Sequence, residues 1–258
     1  MSGLTFSSDA AEKLIAAYTT PDLAKQRDAT LQRLRVRPGE HVLDIGCGPG
    51  FLCKGMAEAV GPTGRVVGID ISADLINFAI ARKGNDPIEY QVGDATALPV
   101  GAAQFDVAVS TQVIEYVADA DAALREIARV LRPGGRGIIV DTDFDSWVWH
   151  ASDAERMARI MKGWELHCAH SRLPRTLVPR LHAAGFKISG VEGYAIVNTT
   201  FRPADFSHGL GRLIYDFLTT RGFERSVLDA WWADLLELDR RKAAFFSLNR
   251  YFFEIRKA

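Results

Sequence analysis

A chain of 258 residues with 48% hydrophobic and 24% charged side chains is composed like a folded globular protein, which excludes disordered, collagen-like and coiled-coil architectures. Its 31 basic and 32 acidic residues leave a net charge of −1, so nothing in the balance draws it to nucleic acid or to an anionic membrane. Three cysteines, Cys47, Cys53 and Cys168, are too few for a disulfide framework, and no apolar run approaches the ~20 residues of a membrane span. The opening MSGLTFSSDAAEKL has no basic segment running into an apolar core. A cytoplasmic protein is expected.

Residues 8–35 read as helical, with Pro21 interrupting the apolar spacing. A buried strand follows at 41–45, a helix at 51–60 stopped by Gly61-Pro62-Thr63-Gly64, and a second strand at 65–70. Ser72 is placed to cap a helix running to about Arg82. Strands near 88–92, 105–110 and 136–142 continue the alternation, with a helix at 119–131 and a stop at Pro133-Gly134-Gly135. Strands separated by helices argue for a parallel sheet covered on both faces. Beyond Thr142 the regularity loosens. A helix at 173–184, strands near 186–197 and 245–257, and a largely helical stretch over 199–242 complete the chain. We read one domain over residues 1–258 that carries helical insertions. Its parts are a helical lid (8–35), a ligand-binding core (40–142), a two-part cap (143–172 and 199–242) and the last strand (245–257).

The stretch VLDIGCGPG, residues 42–50, carries the most chemistry. Glycines at the end of a first strand let the backbone approach a ligand at the start of the next helix. Asp70 ends the second strand twenty residues beyond Gly50, where a carboxylate accepts hydrogen bonds from ribose hydroxyls. A dinucleotide loop requires a small residue where this chain has Phe51, and no Gly-Lys-Ser/Thr ending marks a P-loop. Asp44 precedes the glycines, where its charge opposes a diphosphate and favours an ammonium or sulfonium. A cationic nucleoside fits best.

These residues resemble the class I S-adenosylmethionine (SAM)-dependent methyltransferases, of the bacterial group that includes the ubiquinone/menaquinone C-methyltransferase-like enzymes. The resemblance rests on VLDIGCGPG (42–50), VGIDIS (67–72), GDATALP (93–99), FDVAVSTQVIEYV (105–117) and LRPGG (131–135), in the family's order over about residues 40–140. It implies a Rossmann-like α/β fold, a seven-stranded, mostly parallel sheet with an antiparallel last strand, plus the helical cap insertions. It also implies SAM as cofactor and methyl transfer to a small apolar or aromatic acceptor by in-line displacement. A SAM-binding protein of the same fold with a non-transferring or regulatory role is the alternative.

By that resemblance Asp44 and the backbone of Gly46, Cys47, Gly48 and Gly50 hold the methionine portion. Asp70 takes the ribose, Ile71 packs on adenine, Asp94 and Ala95 meet its amino group, and Gln112 and Val113 close the methionine side. Tyr18 and Arg27 on the leading helix reach the cofactor carboxylate, a guanidinium being suited to a bidentate contact. For the acceptor, Phe144, Trp147, Trp149, Trp164, Tyr215 and Trp231 offer apolar area, since all five tryptophans fall in the two cap segments. His150 and His167 are candidate bases and Tyr116 a candidate for shaping the reacting centre. Asp141, Asp143 and Asp145 alternate in a way that suits a divalent ion, yet such enzymes mostly work without metal, and none is expected. The expected partners are a small-molecule acceptor and no nucleic acid, in a monomer or homodimer without a membrane span.

Overall fold

Runs such as Val42-Leu43-Asp44-Ile45 and Val107-Ala108-Val109 have no polar face, so strands built from them must be covered on both sides. They are covered in a computed structural model of the chain, which describes Ile15 and residues 18–84 and 86–258. Strands β1 (His41–Ile45), β2 (Arg65–Asp70), β3 (Ile88–Val92), β4 (Phe105–Thr111) and β5 (Leu131–Thr142) are parallel, in the order β3-β2-β1-β4-β5. Strand β8 (Phe246–Lys257) runs antiparallel beside β5, and β7 (Phe186–Asn198) pairs with its outer edge. The sheet thus has eight strands where the sequence leads to seven. The additional one is the two-residue β6 (Val148–Trp149), which continues the β5 side of β8. A two-residue pairing leaves no periodicity to read.

Alternate strand residues face opposite layers. Leu43, Ile45, Val67 and Ile69 pack against α4 (Ala120–Val130) and α6 (Pro174–Ala183). Val42, Val66, Val107 and Val140 pack against α2 (Phe51–Val60), with Leu34 at the end of α1 (Pro21–Leu34) and Ile76 of α3 (Ala73–Arg82) in the same layer. Pro21 opens α1, where its missing N–H is no loss, and the break at Thr19-Thr20 separates it from helical residues that precede it, as the sequence leads one to expect. Residues 8–14, 16 and 17 of the expected lid lie outside the described residues.

Helices α5 (Ala154–Trp164), α7 (Phe206–Thr220) and α8 (Arg225–Arg240) form the cap over the first half of β8. Trp149 is its centre, with ring centroids 4.8 Å from Phe246, 5.7 Å from Trp231 and 6.3 Å from Trp147. Phe144, Trp147, Trp149, Trp164 and Trp231 are all buried in this one cluster. Its neighbour Trp232 lies at the cluster's edge under the Arg212 guanidinium. No helix among the described residues is long and apolar enough to cross a membrane.

Because Trp231 is fully buried and touches no cavity wall described below, Trp231→Ala is expected to lower stability by about 3–5 kcal/mol. Urea unfolding measures this; a midpoint unchanged from wild type would mean the indole is not packed as described.

Candidate active site

The strand order reverses between β1 and β4, and their carboxyl ends part there to leave a crevice. The glycine loop lies along it. Gly46 adopts φ +69°, and a Cβ built on it would overlap the Val113 side chain, so position 46 excludes every larger residue on two grounds. The loop's donors are used internally. The N–H groups of Gly46 and Cys47 both donate to the Ile69 carbonyl (2.7 and 3.0 Å), and Gly48 N–H donates to Asp70 Oδ2 (2.8 Å). Gly50 N–H donates to the Cys47 carbonyl (3.0 Å), so the loop itself keeps no free donor, and the uncapped N–H groups begin only in the first turn of α2.

What the crevice offers is negative. Asp44 is buried near the end of β1, with one carboxylate oxygen accepting from the Cys53 thiol at 3.2 Å and the other without a partner among the described residues. Burial pushes its carboxyl up to about 7; the thiol opposes the rise and the Asp70 charge adds to it. Asp70 accepts from Gly48 N and, through Oδ1, from Ser72 N (2.9 Å), so it braces the loop as well as facing the crevice. Asp94 Oδ1 is held by the Thr96 N–H and hydroxyl, both at 2.8 Å. Ile71 is 67% exposed on the rim, an apolar surface open to a flat ring.

Two cavities meet in the crevice. The smaller, ≈ 50 Å³, lies under α1 and is bounded by Gln26, Arg27, Asp44, Cys47 and Thr111. The larger, ≈ 540 Å³, runs past Asp70, Ile71, Asp94 and Ala95 to Tyr116, His167 and Cys168. Tyr18, Gly46 and Gln112 line both. Gln112 holds φ +52°, uncommon for a residue with a Cβ, pinned by its N–H to the Val140 carbonyl (2.7 Å); its amide nitrogen is buried without a partner. Arg27 reaches the small cavity with its guanidinium 5.2 Å from the Phe51 ring and one N–H on the Tyr18 carbonyl. Of the expected cofactor residues, all but Gly50 and Arg27 therefore border one cavity or both at the sheet edge, and Arg27 borders the small one from α1. Gly50 instead sits behind the loop, where a Cβ would strike Tyr90.

The expected acceptor residues need correction. None of Phe144, Trp147, Trp149, Trp164, Tyr215 and Trp231 lines the large cavity. The first four and Trp231 are the cap's core, and Tyr215 hydrogen-bonds Asp229 between α7 and α8 at 2.5 Å. From the cap only residues 167–169 reach the chamber, and 199–242 contributes nothing to it. His150 is also displaced: β6 turns Trp149 inward and His150 outward, with Nδ1 on the Ala243 carbonyl at 2.8 Å. His167 and Tyr116 do face the chamber, their rings edge to face at 5.7 Å. Asp143 and Asp145 do not converge with Asp141; both pair with Arg175, and Asp145 also with Arg172.

Sequence reasoning missed the polar cluster behind the chamber. Arg250 on β8 is buried, donates to the Gln26 amide oxygen on α1 and lies 5.1 Å over the Phe206 ring. Glu115 is 1% exposed and accepts from Thr142 N at 2.7 Å; its own N–H donates to Asp141 Oδ1 at 3.3 Å. Burial raises both carboxyls, and their mutual repulsion raises Asp141 further. The alternation Phe246, Leu248, Arg250, Phe252 was the available signal, since it puts Arg250 on the inward face of β8.

Comparison with known proteins agrees with this geometry. Residues 43–139 match the family model described as "Methyltransferase domain". Over 245 residues the chain is 34% identical to an uncharacterised 37.1 kDa protein of a Streptomyces fradiae transposon, covering 92% of this chain and 70% of that one. It is 40% identical over 116 residues to a ubiquinone/menaquinone biosynthesis C-methyltransferase from Hahella chejuensis, a match covering 43% of this chain and 47% of the relative. A solved phosphoethanolamine N-methyltransferase 2 from Haemonchus contortus, in complex with S-adenosyl-L-methionine, superposes with a TM-score of 0.63 at 21% identity, over 98% of this chain and 57% of the other.

The Asp44 carboxyl carries a pH prediction. Its folded value lies above the ordinary ~3.9, so the folded protein holds an extra proton between about pH 4 and 7. Stability from this group is therefore full at low pH and is lost as pH rises through about 7. A sulfonium prefers the ionised form. Calorimetry between about pH 6 and 8 is expected to show SAM affinity rising relative to the neutral S-adenosylhomocysteine (SAH) and levelling above about 7, with Asp44→Asn flattening the ratio. A flat ratio in the wild type would remove Asp44 from the cation site.

Proposed function

The chain belongs to the class I SAM-dependent methyltransferase family, and from that footing we propose that it moves a methyl group from SAM to a small organic acceptor held in the ≈ 540 Å³ chamber. The observation that carries this reading is the pairing of a loop whose N–H groups are all used internally with a buried carboxylate oxygen left bare. Such a crevice suits a positively charged ligand and disfavours a phosphate.

When bound, SAM supplies a methyl group on a sulfonium, an electrophile that needs no acid catalyst. Asp44 would answer its charge, and Gln112, with an unpartnered amide, and Arg27 would answer the polar end of its amino-acid portion. Asp70 would accept from the ribose while bracing Gly48, and Ile71, Asp94 and Ala95 would take the base. The remaining work is alignment and dryness. Val113, Tyr116, Val117 and Ala118 wall the acceptor end with mostly apolar surface, so an acceptor is held close and water is displaced. Tyr18, shared by the two cavities, separates the amino-acid end of the cofactor from the acceptor.

Incubating the full chain with SAM and a panel of small phenols, amines and carbon acids, read by mass spectrometry, is expected to yield SAH together with a product heavier by one methylene. Asp70→Asn should fold but bind SAM more weakly by roughly 1–3 kcal/mol, because one shared acceptor becomes partly a donor. If neither SAM nor SAH stabilises the wild type against heat, the cofactor reading fails. Stabilisation without SAH formation on any acceptor would favour a binding role without transfer.

A further inference from the structure

We infer that the acceptor is an uncharged molecule with an apolar body that presents a hydroxyl to His167 Nε2, and that the chamber turns away anionic acceptors. This rests on the methyl-transfer reading, through the assignment of the Tyr116–His167 end of the chamber to the acceptor. The first support is the fixed state of one imidazole. His167 Nδ1 lies 2.5 Å from the Trp164 carbonyl. A carbonyl only accepts, so the ring proton is on Nδ1 and Nε2 carries a lone pair. The ring cannot turn to exchange them. It is stacked on the Trp164 indole (centroids 3.9 Å apart, planes at 11°) and wedged edge-on between Phe144 and Tyr116 at 4.5 and 5.7 Å.

His167 borders the chamber, and its Nε2, turned away from the Trp164 carbonyl, is buried with no partner among the described residues. An acceptor atom in that position is satisfied only by a donor. Burial also holds the imidazole down to about 4, so it brings no positive charge to the chamber at neutral pH.

The second support is the charge of the wall. Asp70, Asp94 and Asp119 line the chamber, no lysine or arginine among the described residues does, and Glu115 and Asp141 lie behind it. Arg250, the cation nearest to those two acids in the fold, donates to Gln26 under α1. A carboxylate or phosphate entering would lose its water and meet acids with no counter-ion. An ammonium would suit the acids but has no lone pair with which to take a methyl group. A neutral hydroxyl meets both requirements: it donates to Nε2 and keeps oxygen lone pairs.

The test uses the full chain saturated with SAH and four probes of one shape: 1-naphthol, naphthalene, 1-naphthoate and 1-naphthyl phosphate. Trp164 under His167 reports binding by fluorescence, with calorimetry as the independent measure. The expected order is 1-naphthol at least about tenfold tighter than naphthalene, with both anions weaker than naphthalene. His167→Phe, which keeps the stacking and removes Nε2, should bring naphthol down to naphthalene. His167→Gln, which restores an acceptor, should recover part of the preference, and SAH affinity should stay within about twofold in both variants. The inference is overturned if the anions bind as well as naphthol, if no probe binds, or if folded His167→Phe keeps the preference. Failure of the wild type to bind SAH would instead sink the cofactor reading, which separates the two.

Discussion

A carboxylate buried in an apolar sheet edge, with one oxygen unpartnered, is the feature on which the rest of the site depends. Asp44 lies one residue before the end of β1, between Leu43 and Ile45, and among the described residues its side chain takes a hydrogen bond only from a thiol. An isolated charge there is costly, which is why its carboxyl rises toward neutrality. The glycine loop does nothing to relieve it. Its N–H groups are turned back to Ile69 and Asp70, so the surface left toward the crevice accepts hydrogen bonds and attracts positive charge. Asp70 and Asp94 at the next two strand ends extend the same field along the carboxyl edge of the sheet. A chain with net charge −1 thus concentrates acids where the strand order reverses.

Helix α1 is tied to both the sheet and the cap. Asp22 accepts from Asn198 Nδ2 (2.8 Å) and from the Phe206 N–H at the start of α7 (3.1 Å), and Asn198 in turn accepts from Ser207 N (2.9 Å). Four residues further on, Gln26 accepts from Arg250. At the other end, Arg136 of β5 donates to the carbonyls of Leu34 and Arg35 while its remaining N–H groups engage Glu40. Three attachments along one helix explain how Arg27 and Gln26 are held over the small cavity. They also place Tyr18, just before the helix, where the two cavities meet. A buried arginine serves here because its planar fork can reach an amide while the nearby acids balance its charge.

The order of strands and helices was legible from β1 to β5 and again from α6 to β8, because each of these elements is written in the spacing of neighbouring residues; α5, in the stretch after Thr142, was not. Ser72 accepts from Leu75 N and Asp119 from Ala122 N as helix caps, and Gly185 turns the chain after α6, each where local chemistry asks for it. The glycine loop and the acids at the ends of β1, β2 and β3 were equally legible, since a strand end followed by glycines fixes where side chains lie relative to the crevice. Two-residue β6 was not, and neither was the inward turn of Glu115, whose neighbours Ile114 and Tyr116 carry no period.

What the sequence alone determined is the sheet, its switch point and the cation-favouring edge, all consequences of local turns and of apolar runs that admit one environment. What only the tertiary structure decided is which side chains meet in the chamber. A tryptophan looks the same in sequence whether it walls a pocket or fills a core; here α5, α7 and α8 close on β6 and β8, and the indoles are consumed by that contact. His150 and His167 differ for the same reason. One follows an inward Trp149 on a strand and so points out, whereas the other ends a helical turn stacked on Trp164 and so points in. Inside and outside are set by surfaces brought together from segments far apart in the chain, such as β6 on β8 and α1 on β8. No local pattern carries that information, because burial belongs to the pair of surfaces and not to either one.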